Sequence, residues 1–439
     1  MQTASKKVVN GWAMYDWANS VYNLVITTTF FPLYYLGVTG DGNDKTKTDY
    51  IDFLWFKNIP NSSLYDYTLA FGFLIVAIMS PVLSSIADYK GNKKSFMRLL
   101  VILGSISCMG FYFFKGDTLL LGTILLITAT VGYWSSLVFY NSYLPEIAAP
   151  KDRDRISAKG FMYGYIGSVL LQLIGFVLVT LAGDDEAAQS NAVRMTFVLV
   201  GLWWLGFAQI TLRRMPKSQP AGTVNNKNIF SNGFHELSLV LKQIKARPVM
   251  WLFLCAFFFY NMGVQTVMLI ATNFGSEELQ LDTTTLIITV VIIQLVAILG
   301  AFLMSRLSDK YGNFRVLMFT ISIWVLICLF AFFFLYNKWQ FFGIATAVGL
   351  VMGGIQSLSR STYSKLMPPT KDTASFFSFY DVTEKIAIVV GMFSFGFITH
   401  LTGNMRNSIL ALIGFFILGL IILAFAYKRT RSNSLIEEQ

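Results

Sequence analysis

Apolar residues run in stretches of about twenty along nearly the whole chain, broken by short polar segments. By length they give six spans near residues 9–36, 65–87, 95–114, 118–143, 157–181 and 191–212. After a polar gap come six more, near 248–272, 284–305, 315–336, 339–364, 374–398 and 407–427. A helix needs roughly 20 residues to cross a hydrocarbon core about 30 Å thick. The pattern predicts an all-α membrane protein. The gap carries Pro216, Pro220 and Gly222, then "FHELSLVLKQIKA", in which Phe234, Leu237, Leu241 and Ile244 recur at helical spacing. That spacing fits an amphipathic helix on the membrane face, and equally a plain linker helix. The expected organisation is a six-helix unit at 1–212, a linker at 213–247 and a second six-helix unit at 248–439.

Composition agrees. Charged residues make up 13% of the 439 and hydrophobic ones 55%, whereas soluble domains carry about 25% charged residues. Mean hydropathy is +0.57. A net charge of +10 could suggest nucleic acid, but its placement points elsewhere. With the N-terminus cytoplasmic, inside segments and flanks hold 25 Lys and Arg against 7 outside. The asymmetry predicts both termini in the cytoplasm and removes the need for a nucleic-acid partner. The start, with Lys6 and Lys7 before a long apolar run, reads as a retained first helix rather than a cleaved signal. Cys108, Cys255 and Cys328 all fall in spans, and His235 and His400 lie in separate loops, so neither a disulfide framework nor a histidine metal site is expected. The outer segment Gly37–Leu64, with Asp41, Asp44, Asp49 and Asp52, reads as a solvated connector.

The halves repeat. "SSIADYKGNKK" (Ser84–Lys94) follows span two and "SRLSDKYGNFR" (Ser305–Arg315) follows span eight. Asp88 matches Asp309, Gly91 matches Gly312 and Asn92 matches Asn313 at one offset of 221 residues. The halves also share Tyr-x4-Pro at the ends of spans four and ten, Tyr140 and Pro145 in one and Tyr363 and Pro368 in the other. Each glycine permits a tight turn, Asp88 can cap a neighbouring helix, and Lys93 and Lys94 are expected to face the anionic inner leaflet. Repeated six-helix units are the mark of alternating-access transporters.

The Asp-x-x-Gly loop resembles the loop between spans two and three of the major facilitator superfamily. It departs at Ser84 and Ser305, at Tyr89 and Lys310, and at Phe314. "NGWAMYDWANSVYNLVITT", "NSYLPEIA", "DRDRISAKGFMYGYIGS", "FFFYNMGVQT", "GGIQSLSRSTYSKLMP" and "FYDVTEKIAIVVG" resemble the family of unknown major facilitators. That family includes the fungal vacuolar amino-acid effluxer linked to autophagy. The resemblance implies two pseudo-symmetric six-helix bundles, the major facilitator fold, and solute transport. Several relatives carry an aspartate in span seven where this chain has Met262.

Polar groups inside the spans suggest where that transport happens. In span one, Asp16, Asn19, Ser20, Asn23 and Thr27 share one helical face. Span seven repeats the pattern with Tyr260 for Tyr15, then Asn261 and Gln265. Span eleven carries Asp381, Glu384 and Lys385; span ten carries Gln356 and Arg360; span four carries Trp134 and Asn141. Left without partners, Asp16, Arg360, Asp381, Glu384 and Lys385 would cost roughly 12–17 kcal/mol on the lenient insertion scale. That rivals the whole stability of a typical protein, about 5–15 kcal/mol. The five must be paired or hydrated around a cavity flanked by spans one, four, seven, ten and eleven. Their signs allow Arg360 and Lys385 to pair with Asp381 and Glu384, leaving Asp16 free.

A proton-coupled transporter of small zwitterions, amino acids or short peptides, is the expected function. Arg360 and Lys385 would hold a carboxylate, with Asn19, Asn23, Asn141, Asn261, Gln265 and Gln356 as hydrogen-bonding neighbours. Tyr15, Tyr22, Tyr260 and Trp134 would shape an apolar pocket. Asp16 or Glu384 would carry the proton, while Asp381 fits a proton site or a gate. Asp88, Gly91, Asp309 and Gly312 would be structural, and Glu146, Asp152, Arg153, Asp154 and Arg155 would form a charge latch. A permease or exporter for sugars, cell-wall fragments or drugs stays open, as does a receptor or scaffold. No enzyme constellation and no cofactor are expected. The partners are a small solute, protons and lipid, around a monomer in a bacterial inner membrane.

Overall fold

The computed structural model of the chain describes residues 2–40, 50–220 and 229–437. Among the described residues, twelve helices are long and apolar enough to cross a membrane. Spans one to six are Lys6–Thr39, Asn61–Lys90, Lys93–Phe113, Gly116–Ile147, Pro150–Leu181 and Glu186–Arg214. Spans seven to twelve are Pro248–Glu277, Thr284–Tyr311, Asn313–Phe334, Lys338–Leu366, Thr373–Thr402 and Met405–Ser432. The helices exceed their apolar windows because polar first and last turns stay helical outside the hydrocarbon. Span eight, for example, starts where the Asp282 side chain accepts hydrogen bonds from the Thr285 amide and hydroxyl, an N-cap that also holds the Asp282 carboxyl below its usual pKa.

In the linker region, Ile229–Lys245 forms a helix that packs against span two. The segment before span two is more than a connector. Tyr50–Phe53 (β1) and Phe56–Pro60 (β2) pair as an antiparallel hairpin, with Ile51 opposite Ile59. Asp52 accepts from the Asn58 amide within it. Aromatic and β-branched residues on both sides of a short turn carry that signal, and only Asp52 of the four acids read there lies among the described residues.

Both repeated loops turn on glycine in the left-handed region, with φ of 66° at Gly91 and 83° at Gly312. At the first, the Asn92 amide reaches the Ala87 carbonyl and the Gly91 amide the Asp88 carbonyl, a Schellman ending for span two. The pseudo-symmetry extends into the bundles. Tyr15 donates to Ser136 at 2.6 Å in the first, and Tyr260 pairs with Ser359 at 2.7 Å in the second.

Two local features position the site. Span one widens to a π-helix over Tyr22–Phe30 between α-helical ends, and such widenings recur at functional sites. Span five presents Gly160, Gly164 and Gly167 to span one, where an added Cβ would run into Asp16, Ser20 and Trp17. Without a hydrophobic drive between helices in lipid, small residues are what let backbones approach this closely.

Candidate functional site

Arg360, on span ten of the second bundle, reaches into the first. Its Nε donates to Ser157 Oγ at 2.9 Å. Nη1 donates to Asp16 Oδ2 at 3.3 Å and to Asn141 Oδ1 at 3.2 Å. Nη2 donates to Asp16 Oδ2 at 3.3 Å and to the Ser157 carbonyl at 2.8 Å. All five guanidinium donors are therefore used, every one on the first bundle. The rings of Phe161, Trp12 and Tyr140 surround the guanidinium at 4.2, 4.8 and 5.4 Å. Tyr140 donates to the same Asp16 oxygen at 2.7 Å. The expectation of a free Asp16 is corrected: its partner is Arg360, brought within reach because span ten packs against span five across the bundle interface.

Gly160 makes room for this pair. A Cβ there would stand 2.8 Å from Tyr140 Oη and 2.9 Å from Arg360 Nη2, and closer still to Asp16 Oδ2. Gly160→Ala is expected to cost about 1–3 kcal/mol of overpacking and to remove most transport. Gly206→Ala, where nothing lies within 4 Å, should change neither. Thermal unfolding in lipid nanodiscs and liposome flux check both.

The second cluster lies on span eleven. Lys385 Nζ donates to Asp381 Oδ1 at 2.8 Å and Glu384 Oε2 at 3.2 Å, and stands 3.7 Å from the Trp134 ring centroid across the interface. Glu384 also accepts from Gln265 at 2.9 Å. Asp381 Oδ2 is buried with no hydrogen-bond partner. Two carboxyls sharing one ammonium leave one acid in excess.

On the side carrying the termini, the bundles are tied by two matched clusters. Asp88 caps the start of span eleven, accepting from the Ser375 amide at 2.7 Å and its hydroxyl at 2.8 Å. Lys93 Nζ lies 3.1 Å from Asp88, 2.5 Å from Glu146 and 2.5 Å from Thr373 Oγ1. Lys93 is 1% exposed, which corrects the expectation that it faces the lipid headgroups: a buried capping carboxylate demands a counter-charge more strongly than the leaflet does. In the other cluster, Asp154 accepts from Lys365 at 2.6 Å, Asn313 at 2.8 Å and Ser308 at 2.9 Å. Arg153 Nη1 donates to the Ser364 carbonyl at 2.6 Å.

The repeat offset of 221 relates Asp88 to Asp309 and Ser375 to Asp154. The acid and the hydroxyl have thus exchanged sides between the halves. This leaves Asp309 exposed at the surface, away from the role its match to Asp88 suggests. Arg155, 70% exposed, pairs locally with Asp152 at 2.9 Å and, among the described residues, makes no ion pair with the other bundle. Asp154→Ala removes three crossing hydrogen bonds to a charged group, each worth about 1.5–3 kcal/mol. It is expected to raise the labelling rate of a cysteine placed at buried Ser364 at least tenfold, read with an impermeant thiol reagent in a cysteine-free background.

Between the bundles lies a cavity of about 260 Å³, near the small end of solute sites. Its wall includes Asp16, Asn23, Trp134, Asn141, Tyr260, Asn261, Gln265, Gln356, Arg360 and Glu384. Tyr15, Asn19, Asp381 and Lys385 stand behind it. Asn19 sits 60° from Asp16 on a helix advancing 100° per residue, enough to turn it inward, and Tyr15 is spent on Ser136. Lys385 is held off the wall by its two acids. Sequence reasoning missed Tyr133, Phe161, Tyr165, Ser359, Tyr380 and Gln294, which also line it. Tyr165 joins the bundles by donating to Gln356 at 2.6 Å. Its spacing from Phe161 and Gly160 on span five was the available signal.

Twelve helices in two pseudo-symmetric bundles, closed around charged groups on one side of a central cavity, define a transporter of the major facilitator kind. Solved transporters share the fold: the proton:xylose symporter XylE (TM-score 0.69, 14% identity, 96% of this chain and 95% of that one) and the E. coli fucose:proton symporter FucP (0.68, 14%, 96% and 97%). Residues 4–434 match the family described as vacuole effluxer Atg22 like, and the chain belongs to it. Relatives include the uncharacterized MFS-type transporter YxiO of Bacillus subtilis (strain 168), 30% identical over 97% of this chain and 96% of that protein. Autophagy-related protein 22 of Saccharomyces cerevisiae (strain YJM789) is 26% identical over 91% and 88%.

Proposed function

We propose that this transporter carries a small zwitterionic solute, an amino acid or short peptide, and couples its movement to a proton. The observation that supports this most is the delivery of all five Arg360 donors to the first bundle around Asp16. A proton on Asp16 removes the charge from that contact, and a solute carboxylate can then replace Asp16 on the guanidinium fork. Either event loosens the bundles where they are tied. Glu384, which accepts from Gln265 and shares the cavity wall with Asn261 and Gln356, suits the solute's ammonium. Glu384 or Asp381 is the alternative proton carrier, since the triad with Lys385 holds one acid in excess.

The 25-to-7 distribution of Lys and Arg supports cytoplasmic termini, and the protein is taken to act as a monomer in the cell's inner membrane. The test is flux in proteoliposomes with radiolabelled amino acids and dipeptides. Accumulation that follows an imposed pH gradient is expected. Exchange indifferent to pH and to protonophores would refute the coupling, and failure of every amino acid and peptide to move would refute the solute class.

A further inference from the structure

The cavity is lopsided. In the first bundle its wall takes residues from spans one, two, four and five; among the described residues none comes from spans three or six. The corresponding interior is filled by rings, with Phe31 4.4 Å from Phe111, 5.8 Å from Phe197 and 5.9 Å from Phe114. In the second bundle the wall continues inward to the outer helices. Cys328 and Ala331 of span nine line it, as do Ala345 and Val348 of span ten and Leu412 of span twelve. These five are small or aliphatic, and although Phe274 and Phe341 share the wall, the second bundle encloses a chamber where the first has an aromatic plug. Span seven is the shared wall. Asn261 and Gln265 face the polar compartment on it, and Val264 and Met268 carry the lining onward.

Charge in the polar compartment is equally one-sided. Arg360 has no donor to spare, and Lys385 is off the wall, bound to Asp381 and Glu384. Glu384 is the ionisable group on the wall whose counter-charge is shared with a second acid, its side chain 19% exposed. An anionic head finds no open cation in this arrangement, whereas an ammonium finds a carboxylate.

We infer that, in this arrangement, the site binds amphipathic monocations: an ammonium at Glu384 and Gln265, and an aliphatic tail in the chamber inside the second bundle, with no carboxylate required. This rests on the central cavity being the transport site and adds the class of solute it admits. Burial of each methylene is worth about 0.8 kcal/mol, or roughly fourfold in affinity.

Binding of n-alkylamines from ethylamine to octylamine is measured on the full chain in nanodiscs, where no detergent tail competes. Affinity should rise about fourfold per carbon until the chamber is full, and Ala345→Phe should flatten that rise. Glu384→Gln should weaken all members about equally, at least tenfold. Because Ala345→Phe could fail to fold, Cys328 gives a second readout in the unfilled protein with Cys108 and Cys255 replaced by serine. Octylamine should slow its modification by a methanethiosulfonate reagent at least tenfold, and ethylamine should not. Affinity independent of tail length, or protection of Cys328 unrelated to it, would overturn the chamber while leaving proton-coupled transport standing. A length dependence that survives Glu384→Gln at full affinity would overturn the ammonium site. Transport of amino acids with no amine binding at all would overturn this inference alone, and absence of both would remove the transport reading as well.

Discussion

Arg360→Ala is expected to abolish net transport and to lower stability by about 3–5 kcal/mol, the cost of leaving one half of a buried ion pair alone. The size follows from where the partner is left. Asp16 is 5% exposed, and without Arg360 its carboxylate keeps, among the described residues, the Tyr140 hydroxyl alone. The same change vacates a space walled by three aromatic rings. Arg360→Lys should not rescue it, because a point charge with three donors cannot reproduce a fork that delivers five hydrogen bonds to four acceptor atoms on Asp16, Asn141 and Ser157. Adding Asp16→Asn to Arg360→Ala should restore part of the lost stability by removing the orphaned charge, a coupling that a double-mutant cycle measures. Thermal unfolding in nanodiscs of the two single variants and the double one checks this. Wild-type stability in Arg360→Ala would mean that the bundle contact carries no energetic weight.

Asp16→Asn is the more selective change. The amide keeps an oxygen for Arg360 but cannot gain or lose a proton near neutral pH. Accumulation driven by a pH gradient should fall to the level set by the solute gradient alone, while counterflow exchange continues. The two assays on one proteoliposome preparation separate coupling from binding. If Asp16→Asn still concentrates solute against its gradient, the proton is carried elsewhere, and Glu384→Gln becomes the decisive variant. The triad on span eleven is the natural second site because Asp381 holds a buried oxygen without a partner.

Much of the fold was legible because a bilayer constrains sequence so strongly. Twelve apolar runs, a charge bias across loops and two copies of a glycine turn are one-dimensional signals. The charged residues of the site were legible for the same reason: Asp16, Arg360, Asp381, Glu384 and Lys385 have no business at membrane depth without a partner. Their pairing was not. Arg360 and Asp16 are 344 residues apart, and sign alone cannot choose between Asp16, Asp381 and Glu384 for a given base. Lys385 found its acids one turn and one residue away on its own helix, which left Arg360 for the facing bundle.

The repeat misled at one point. Asp309 copies Asp88 in sequence but not in place, since the acid of the second cluster has moved to Asp154 on the opposite helix. A match along the chain cannot show such an exchange, because either side of a hydrogen bond can supply the carboxylate.

By itself, then, the sequence determined the membrane as solvent, the number of helices, the duplicated halves and the list of charges that had to be satisfied. Only the tertiary structure decided which acid meets which base, that Gly160 is the gap admitting the pair, and that one bundle is plugged with rings while the other is hollow. The division has a physical cause. Burial in lipid is settled residue by residue and so is written locally. Partnership across an interface depends on the distance between helices, which small residues far apart in the chain set together.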